Sequence, residues 1–297
     1  MGRYTATMRR FVDLHTHSTA SDGSVTPDEL VRLAERRRLA AVALTDHDTT
    51  EGLAAARMQA RSFPKLKFVN GIECSGIFPS GTLHILGLGI DENDRQLRRS
   101  LQSLRDARRQ RNPKIIAALQ RLDVNIDMDD VLGVARDMRD GRRERIIGRL
   151  HIAEALRRKG YVRDHNEAFA KYIGAGAAAY VNKEHLTARQ IIAAICSAGG
   201  LAVLAHPVQL NCENRAQLDR IVRSLVTAGL EGIEAYHTDH THAQTRAYLD
   251  LAKRYGLAVT GGSDFHGAAK AEAILGRPRV PIAAVGEQLL ERLLERP

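Results

Sequence analysis

Tryptophan is absent from this 297-residue sequence, and aromatic residues make up only 4% of it. A surface that stacks unpaired bases needs several aromatic rings, so a single-strand nucleic-acid platform is poorly supplied here. Cysteine is scarce too: Cys74, Cys196 and Cys212 stand at unrelated spacings and make neither a disulfide framework nor a CxxC site. A reducing, cytoplasmic setting is expected. No apolar run approaches the ~20 residues needed to cross a bilayer, so no membrane partner is expected. The stretch Met1–Arg10 is polar and basic without an apolar centre, unlike a signal peptide. The organised sequence begins just after Met8, which would serve as a start. A P-loop is missing as well. Gly174-Ala-Gly176 lacks the Lys-Ser/Thr sequel and reads as a flexible turn.

What the chain does carry is positive charge. Lys and Arg number 44 against 35 Asp and Glu, a net charge of +9. Such a field favours anions without saying which. Much of it lies in Arg95–Arg111 and Arg136–Arg158, runs that by themselves are well explained as solvated helix faces. The length suits one α/β barrel domain, with or without an insertion.

The order of elements alternates. Thr26-Pro27-Asp28-Glu29 has the capping-box spacing of a helix start, and that helix runs to about Arg38. Leu39–Leu44 is a short, continuously apolar run, as expected of a strand buried on both faces. A helix over 51–61 and strands at 67–73 and 82–88 follow. From about Asp91 to His185 strands vanish and Arg-rich helical stretches take over, closing on the Gly/Ala segment 174–179. The alternation then resumes: helix 187–198, strand 200–205, helix 214–228, strand 232–236, helix 242–255 and strand 257–260. Strands alternating with helices predict a parallel sheet, and this number of units predicts a barrel. Residues 1–90 and 186–297 are therefore expected to form a discontinuous barrel domain, with 91–185 as a helical insertion domain that contributes to the substrate site.

Histidines and carboxylates gather at the strand ends. In Phe11-Val-Asp-Leu-His15-Thr-His17 the two histidines stand at i and i+2, which share a face on a strand and lie ~6.6 Å apart along it. Alone, such a pair is equally well explained by core or exposed histidines. Here it has company: Asp22, His47, Glu73, His84, His206, Asp264 and His266 all fall in, or just after, predicted strands and their following loops. In a parallel barrel these ends lie together on the C-terminal face, where active sites of that architecture are built. Imidazoles and carboxylates without thiolates suit manganese, zinc or iron, and so many donors exceed what one ion can take.

His15-Thr-His17-Ser-Thr-Ala-Ser-Asp22-Gly, Thr45-Asp-His47-Asp, Gly71-Ile-Glu73, His84-Ile-Leu-Gly, Ala205-His206-Pro and Gly262-Ser-Asp264-Phe-His266 resemble, in order, the motifs of the PHP (polymerase and histidinol phosphatase) family. The resemblance covers about residues 11–277. It implies a distorted (β/α)7 barrel holding two to three divalent ions, manganese first, with zinc or iron as alternatives. Carried over, His15, His17, Glu73 and Asp264 would hold one ion. Glu73 would bridge to a second, completed by His84 and His206. Asp22, His47 and His266 would hold the third.

Within the insertion, Ile147-Gly-Arg149-Leu-His151, Phe169-Ala-Lys171-Tyr and Ala179-Tyr-Val181 are similar to the branch that removes the 3′-phosphate from nucleoside 3′,5′-bisphosphates, some members of which also trim short oligonucleotides from the 5′ end. The resemblance implies Arg149 and His151 as a phosphate-binding pair, with Lys171 and His237 as further substrate contacts. Because i and i+2 face apart on a regular helix, Gly148-Arg149 is expected at a helix start, where backbone N–H groups favour an anion. Val208-Gln209 stands where the branch often has Gly-Arg after His-Pro, which bears on the substrate rather than the chemistry. His240 and His242 are read as surface or helix-cap residues.

The chemistry implied is attack by metal-activated hydroxide on phosphorus, with Arg149 offsetting phosphoryl charge. His151, a bound water or Asp264 would pass a proton to the leaving oxygen. The expected partners are a nucleoside 3′,5′-bisphosphate, the AMP and phosphate products, and short RNA or DNA oligonucleotides. A histidinol-phosphate-type phosphatase is the alternative, against which the Arg-rich insertion counts. A non-catalytic nucleic-acid module is the other, and it predicts lost ligands where none is lost.

Overall fold

The computed structural model describes residues 10–137, 147–174, 176–181 and 186–295. Part of the Arg136–Arg158 run, Ala175 of the Gly/Ala segment, His185 and Met1 to Arg9 lie outside the described residues.

The sheet is built from β1 (Phe11–Asp13), β2 (Ala41–Leu44), β3 (Lys67–Gly76), β4 (Leu83–Leu88), β5 (Leu201–Leu204), β6 (Gly232–His237), β7 (Ala258–Gly262) and β8 (Val280–Pro281), ordered β7-β6-β5-β4-β3-β2-β1-β8. It curls until its ends meet. Beyond β1, Leu14 N–H donates to Gly261 O and His17 N–H to Phe265 O, and Asp264 N–H returns a bond to His15 O. This pairing closes a distorted barrel. At its lower rim β8 pairs antiparallel with β1, Val12 opposite Val280. That two-residue strand is too short to read from a sequence.

The wholly parallel sheet expected from the alternation is not what forms. β4 runs antiparallel to both β3 and β5. The reason is the connection: only the six residues between Gly76 and Leu83 join β3 to β4, and a parallel crossover needs about a dozen or more. The reversal has a consequence for chemistry. His84 sits at the start of β4 rather than its end, and the reversal delivers it to the rim shared by the other strand ends.

Alternation along the strands sorts the core. Ala41, Ala43, Val69, Leu86, Leu88, Leu201 and Val203 pack together inside the barrel, plugged from below by Val280, Val285, Leu290 and Leu293. Val42, Leu44, Ile72, Ile85, Leu204 and Ile233 face outward, under the surrounding helices. These are α1 (Pro27–Arg36), α2 (Leu53–Ala60), α7 (Ala188–Ser197), α8 (Arg215–Thr227) and α9 (His242–Tyr255). The expected capping box opens α1: Thr26 Oγ1 accepts Glu29 N–H and Glu29 Oε2 accepts Thr26 N–H, at 3.3 and 3.0 Å.

Between β4 and β5 lie α3 (Arg95–Gln120), α4 (Met128–Asp137), α5 (Arg149–Arg158), α6 (His165–Ala168) and a π-helical turn, Phe169–Ile173. They build a hydrophobic cluster of their own, drawn only from residues 115–181 and centred on Ile115, Leu119, Ile126, Ile152, Leu156 and Ile173. α3 serves both parts. Leu97, Leu101 and Leu104 join the barrel-side cluster, and the helix passes Pro113 before Ile115, Ile116 and Leu119 enter the second. Arg95, Arg98, Arg99 and Arg109 of this helix are exposed, as a solvated face requires, whereas Arg111 is buried. The chain closes with α10 (Ile282–Val285) and α11 (Glu287–Glu295).

Candidate metal centre

The upper rim collects the expected histidines and carboxylates. Glu73 shares the inner face of β3 with Val69, and His84 that of β4 with Leu86. Each therefore points into the barrel mouth by strand alternation. The first motif gets there differently. Regular strand ends at Asp13, and Val12 and Leu14 both face inward. The alternation slips by one, so that His15 and His17, rather than Leu14, reach the centre. His206 needs a comparable device. Ala202 and Leu204 face outward, so an undistorted strand would turn His206 out as well. Its backbone instead adopts φ 24°.

Asp264, at φ 54°, is likewise left-handed. A non-glycine residue held there costs about 1–3 kcal/mol and persists only where surroundings over-determine it. They do. Asp13, the buried last residue of β1, accepts Ser263 N–H, Ser263 Oγ–H and Gly276 N–H at 2.9, 2.6 and 2.7 Å. Burial pushes its carboxyl up to about 6 despite these bonds. Gly262 makes the approach possible: a Cβ there would lie 2.4 Å from the Cβ of His15. On the opposite side Asp46 accepts from Ser18 N–H, Ser18 Oγ–H and Ser21 Oγ–H at 2.8, 2.7 and 2.6 Å, bracing the loop that carries Asp22.

Glu73 is the hub. Its Oε1 lies 2.7 Å from His84 Nδ1 and 2.9 Å from His206 Nε2. Its Oε2 lies 2.9, 3.2 and 3.4 Å from His47 Nδ1, His17 Nε2 and His15 Nε2. Asp264 Oδ1 faces the same His15 and His17 nitrogens at 3.4 and 3.2 Å. Asp22 lies 3.3 Å from His266 and 3.7 Å from His47. Donor atoms of His15, His17, Glu73 and Asp264 all lie within 4.8 Å of one another, as do those of His17, Asp22, His47 and His266, and those of His47, Glu73 and His84. The grouping differs from the expected one: His17 belongs also to the Asp22 set, and His47 takes the place expected of His206 beside Glu73 and His84.

The donor set suits divalent cations. Among the described residues, His15 Nε2, both ring nitrogens of His17 and Glu73 Oε2 are buried without a hydrogen-bond partner. Buried polar atoms are seldom left so, and these converge. Their protonation divides: burial would lower His15, yet Glu234, Glu73 and Asp264 raise it well above its ordinary value. Burial alone would raise the carboxyls of Glu73, Asp22 and Asp264, but the surrounding imidazoles hold all three well below the usual range. Burial pushes His84 down to about 4, leaving a neutral ring with a free lone pair. Burial opposes charge on His266 too, yet Asp264 and Asp22 outweigh it and lift the ring to about 9. A cation there must displace that proton.

Two participants have no place in the sequence reading. Glu234, fully buried on β6, lies 3.1 and 3.2 Å from His15 Nδ1 through its two oxygens, and accepts His206 N–H at 2.8 Å. The signal was available: a lone carboxylate inside an apolar strand is almost never buried unless partnered. Burial would raise it, but His15 and His237 bring it down to about 2. The second is Lys270, whose Nζ lies 2.9 Å from Asp264 Oδ2.

The insertion residues land unevenly. Arg149 opens α5 with Gly148 as its N-cap, as expected. Its guanidinium donates to Ile173 O at 3.1 Å and lies over the rings of Phe169 and Tyr180. His151, buried, accepts Gly148 N–H through Nδ1 and lines a cleft of about 670 Å³ between barrel and insertion, with Asp22, His266 and Lys270 on the opposite wall. Neither Arg149 nor Lys171 is among the residues that line that cleft. Tyr172 and Ile173 take the buried side of the π-turn, leaving Lys171 exposed with Nζ over the Tyr172 ring. His237 packs behind Asp264, its Nε2 3.7 Å from Oδ2, only 2% exposed. His242 is exposed at the first turn of α9 as expected. His240 is not a surface residue: half-buried, it points Nδ1 at Ala235 O and packs edge-on against Tyr248.

The sequence profile of the PHP domain matches residues 13–271. A 3′,5′-nucleoside bisphosphate phosphatase of Chromobacterium violaceum is 36% identical over 257 residues, 86% of this chain and 87% of that protein. A phosphoribosyl 1,2-cyclic phosphate 1,2-diphosphodiesterase of Eggerthella lenta is 36% identical over 258 residues, 86% of this chain and 94% of that one. Among solved structures, a candidate metal-dependent phosphoesterase of Bifidobacterium adolescentis superposes with a TM-score of 0.83 at 32% identity, covering 95% of this chain and 96% of that one.

Proposed function

This chain belongs to the PHP domain family of metal-dependent phosphoesterases, and from that premise we propose that it removes the 3′-phosphate from nucleoside 3′,5′-bisphosphates. The observation that carries this reading is the cleft of about 670 Å³, which has Asp22 and His266 on one wall and, on the other, His151 with Arg157 and Arg158, both paired with Glu154. A small monophosphate needs one anion site. A bisphosphate needs a second, and the insertion supplies cations for it. In this reading the insertion expected over 91–185 covers the substrate with the helices after Pro113, while the first half of α3 belongs to the barrel-side core.

The residues divide the labour. His15, His17, Glu73 and Asp264 would hold one cation, Glu73 with His84 and His206 a second, and Asp22, His47 and His266 a third. Bound divalent ions supply Lewis acidity at phosphorus and an activated water. The protein's own part is preorganisation. Glu234, nearest to His15 Nδ1 at 3.1 and 3.2 Å, would keep the proton on that nitrogen and leave Nε2 for a cation. His151 binds and orients the phosphate of the substrate from the cleft wall, Arg149 would join it by leaving Ile173 O, and His151 Nε2 is the protein atom offered to the leaving ribose oxygen. Short 5′-phosphorylated oligonucleotides would enter by the open end of the cleft. The relative acting on a cyclic phosphodiester favours one further candidate, a ribose cyclic phosphate.

The test is release of phosphate and of mononucleotides from manganese-loaded protein given adenosine 3′,5′-bisphosphate, 5′-AMP, histidinol phosphate, a ribose cyclic phosphate and a short 5′-phosphorylated RNA in parallel. Preference for the bisphosphate with 5′-AMP as product is expected. Turnover of histidinol phosphate alone would overturn the reading and leave the insertion's cations without a task.

A further inference from the structure

Lys270 lies where no motif pointed. It ends the single turn Gly267–Lys270 that follows His266. That turn is tightly specified. Gly267 has φ 66°, and a Cβ on it would fall 2.1 Å from Ser24 Oγ. Ser24 Oγ–H in turn donates to His266 O at 3.1 Å and accepts Ala268 N–H at 2.7 Å. The backbone is thus pinned to the first loop of the barrel, and the lysine is sent back across Asp264.

The two oxygens of Asp264 face different worlds. Oδ1 looks into the barrel mouth at His15 and His17. Oδ2 meets the ammonium of Lys270 at 2.9 Å, with Asp239 Oδ2 the other carboxylate near it at 3.5 Å. An ammonium has three donors. The side chain is 19% exposed and lines the cleft beside Asp22 and His266, so a donor remains for a group arriving there.

We infer that Lys270 is a phosphate-binding residue: it bridges Asp264 to the phosphoryl group held at the centre, and its ammonium donates to a phosphoryl oxygen. This rests on the phosphoesterase reading above and names a substrate contact within it.

The experiment uses inorganic phosphate as the probe, on metal-loaded full-length protein, with Lys270→Met and Lys270→Arg alongside the natural chain. Bound metal per chain is measured first, and phosphate affinity then by calorimetry. One charge-assisted hydrogen bond lost should weaken phosphate binding about ten- to a hundred-fold in Lys270→Met, with metal content unchanged. Lys270→Arg should recover most of that loss. Loss of metal from Lys270→Met would overturn the inference and make the lysine a clamp for Asp264. Equal phosphate affinity in all three proteins, or none in the natural chain, would overturn it too. Phosphate binding needs no nucleotide turnover. A protein that binds phosphate through Lys270 yet ignores the bisphosphate would sink the substrate assignment and leave this one standing.

Discussion

The barrel mouth and the insertion are held together by different means. In the barrel, every titratable group of the centre is tied to at least one other element. Asp13 joins β1 to the loop after β7. Asp46 joins β2 to the His17–Asp22 loop. Glu234 joins β6 to His15 and His206. In the insertion, a modest apolar cluster is dressed with ion pairs that reach solvent: Glu154 with Arg157, Arg158 and His165, Lys159 with Asp130, and Arg163 with Glu167. Exposed pairs of that kind contribute about 0–1 kcal/mol each. The contrast separates two tasks. Strained residues such as His206 and Asp264 can be kept only in the over-determined part, so the reaction centre belongs there. Selection among anions can be entrusted to the part with less constraint.

The sharpest way to break this comparison is at Asp264. Asp264→Ala should empty the site of metal and lower phosphate release by at least about a thousand-fold, because its carboxylate serves the His15–His17 pair directly. Full metal occupancy in the variant would remove Asp264 from the centre. Glu234→Gln comes next. It keeps the shape but no longer enforces an N–H on His15 Nδ1, so metal affinity should fall about 10- to 100-fold. Competition against a graded series of chelators measures this; unchanged affinity would mean that Glu234 only fills space and accepts the His206 N–H.

Legibility followed the same divide. The strand ends were readable because short apolar runs stop at histidine or acid, and a buried strand has few other reasons to stop there. His84 was readable as a residue but not in its setting, since alternation with helices said parallel and the short β3–β4 turn decided otherwise. Glu234 was overlooked although its type was out of place. Lys270 could not have been found, because six positions after Asp264 a lysine is ordinary, and only the Gly267–Ser24 contact brings it back. Lys171 shows the converse: a motif likeness named it, and a π-turn, which no periodicity announces, turned it to solvent. His240 was read as a surface or helix-cap residue, while Tyr248 on α9 packs edge-on against its ring.

Arg149 sharpens the comparison from the insertion side. Arg149→Ala should leave metal content intact and raise KM for the bisphosphate about ten-fold or more, with a smaller effect on a monophosphate. Losing the stack over Phe169 and Tyr180 would cost about 0.5–1 kcal/mol of local stability. Equal losses on both substrates would place Arg149 in the scaffold rather than at a second anion site.

The smallest effect concerns what the surface pairs of the insertion contribute. Hydrogen bonds from Arg157, set against partial burial and joined by His165 and Arg158, hold Glu154 down to about 2 from an ordinary 4.5. A carboxyl depressed in the folded state binds its proton more readily when unfolded. Its stabilisation is therefore complete above about pH 4.5 and is lost as pH falls toward 2. Because both arginines are largely solvated, the loss should stay below about 1 kcal/mol. Other carboxylates titrate over the same range, Asp22, Glu73 and Asp264 among them, so the informative quantity is a difference. The natural chain should lose slightly more thermal stability than Glu154→Gln between pH 5 and pH 3, and the gap should narrow in high salt. A gap larger than that would mean the Glu154 cluster anchors the insertion as firmly as Asp13 and Asp46 anchor the barrel, and the division between a rigid centre and a lightly held cover would fail.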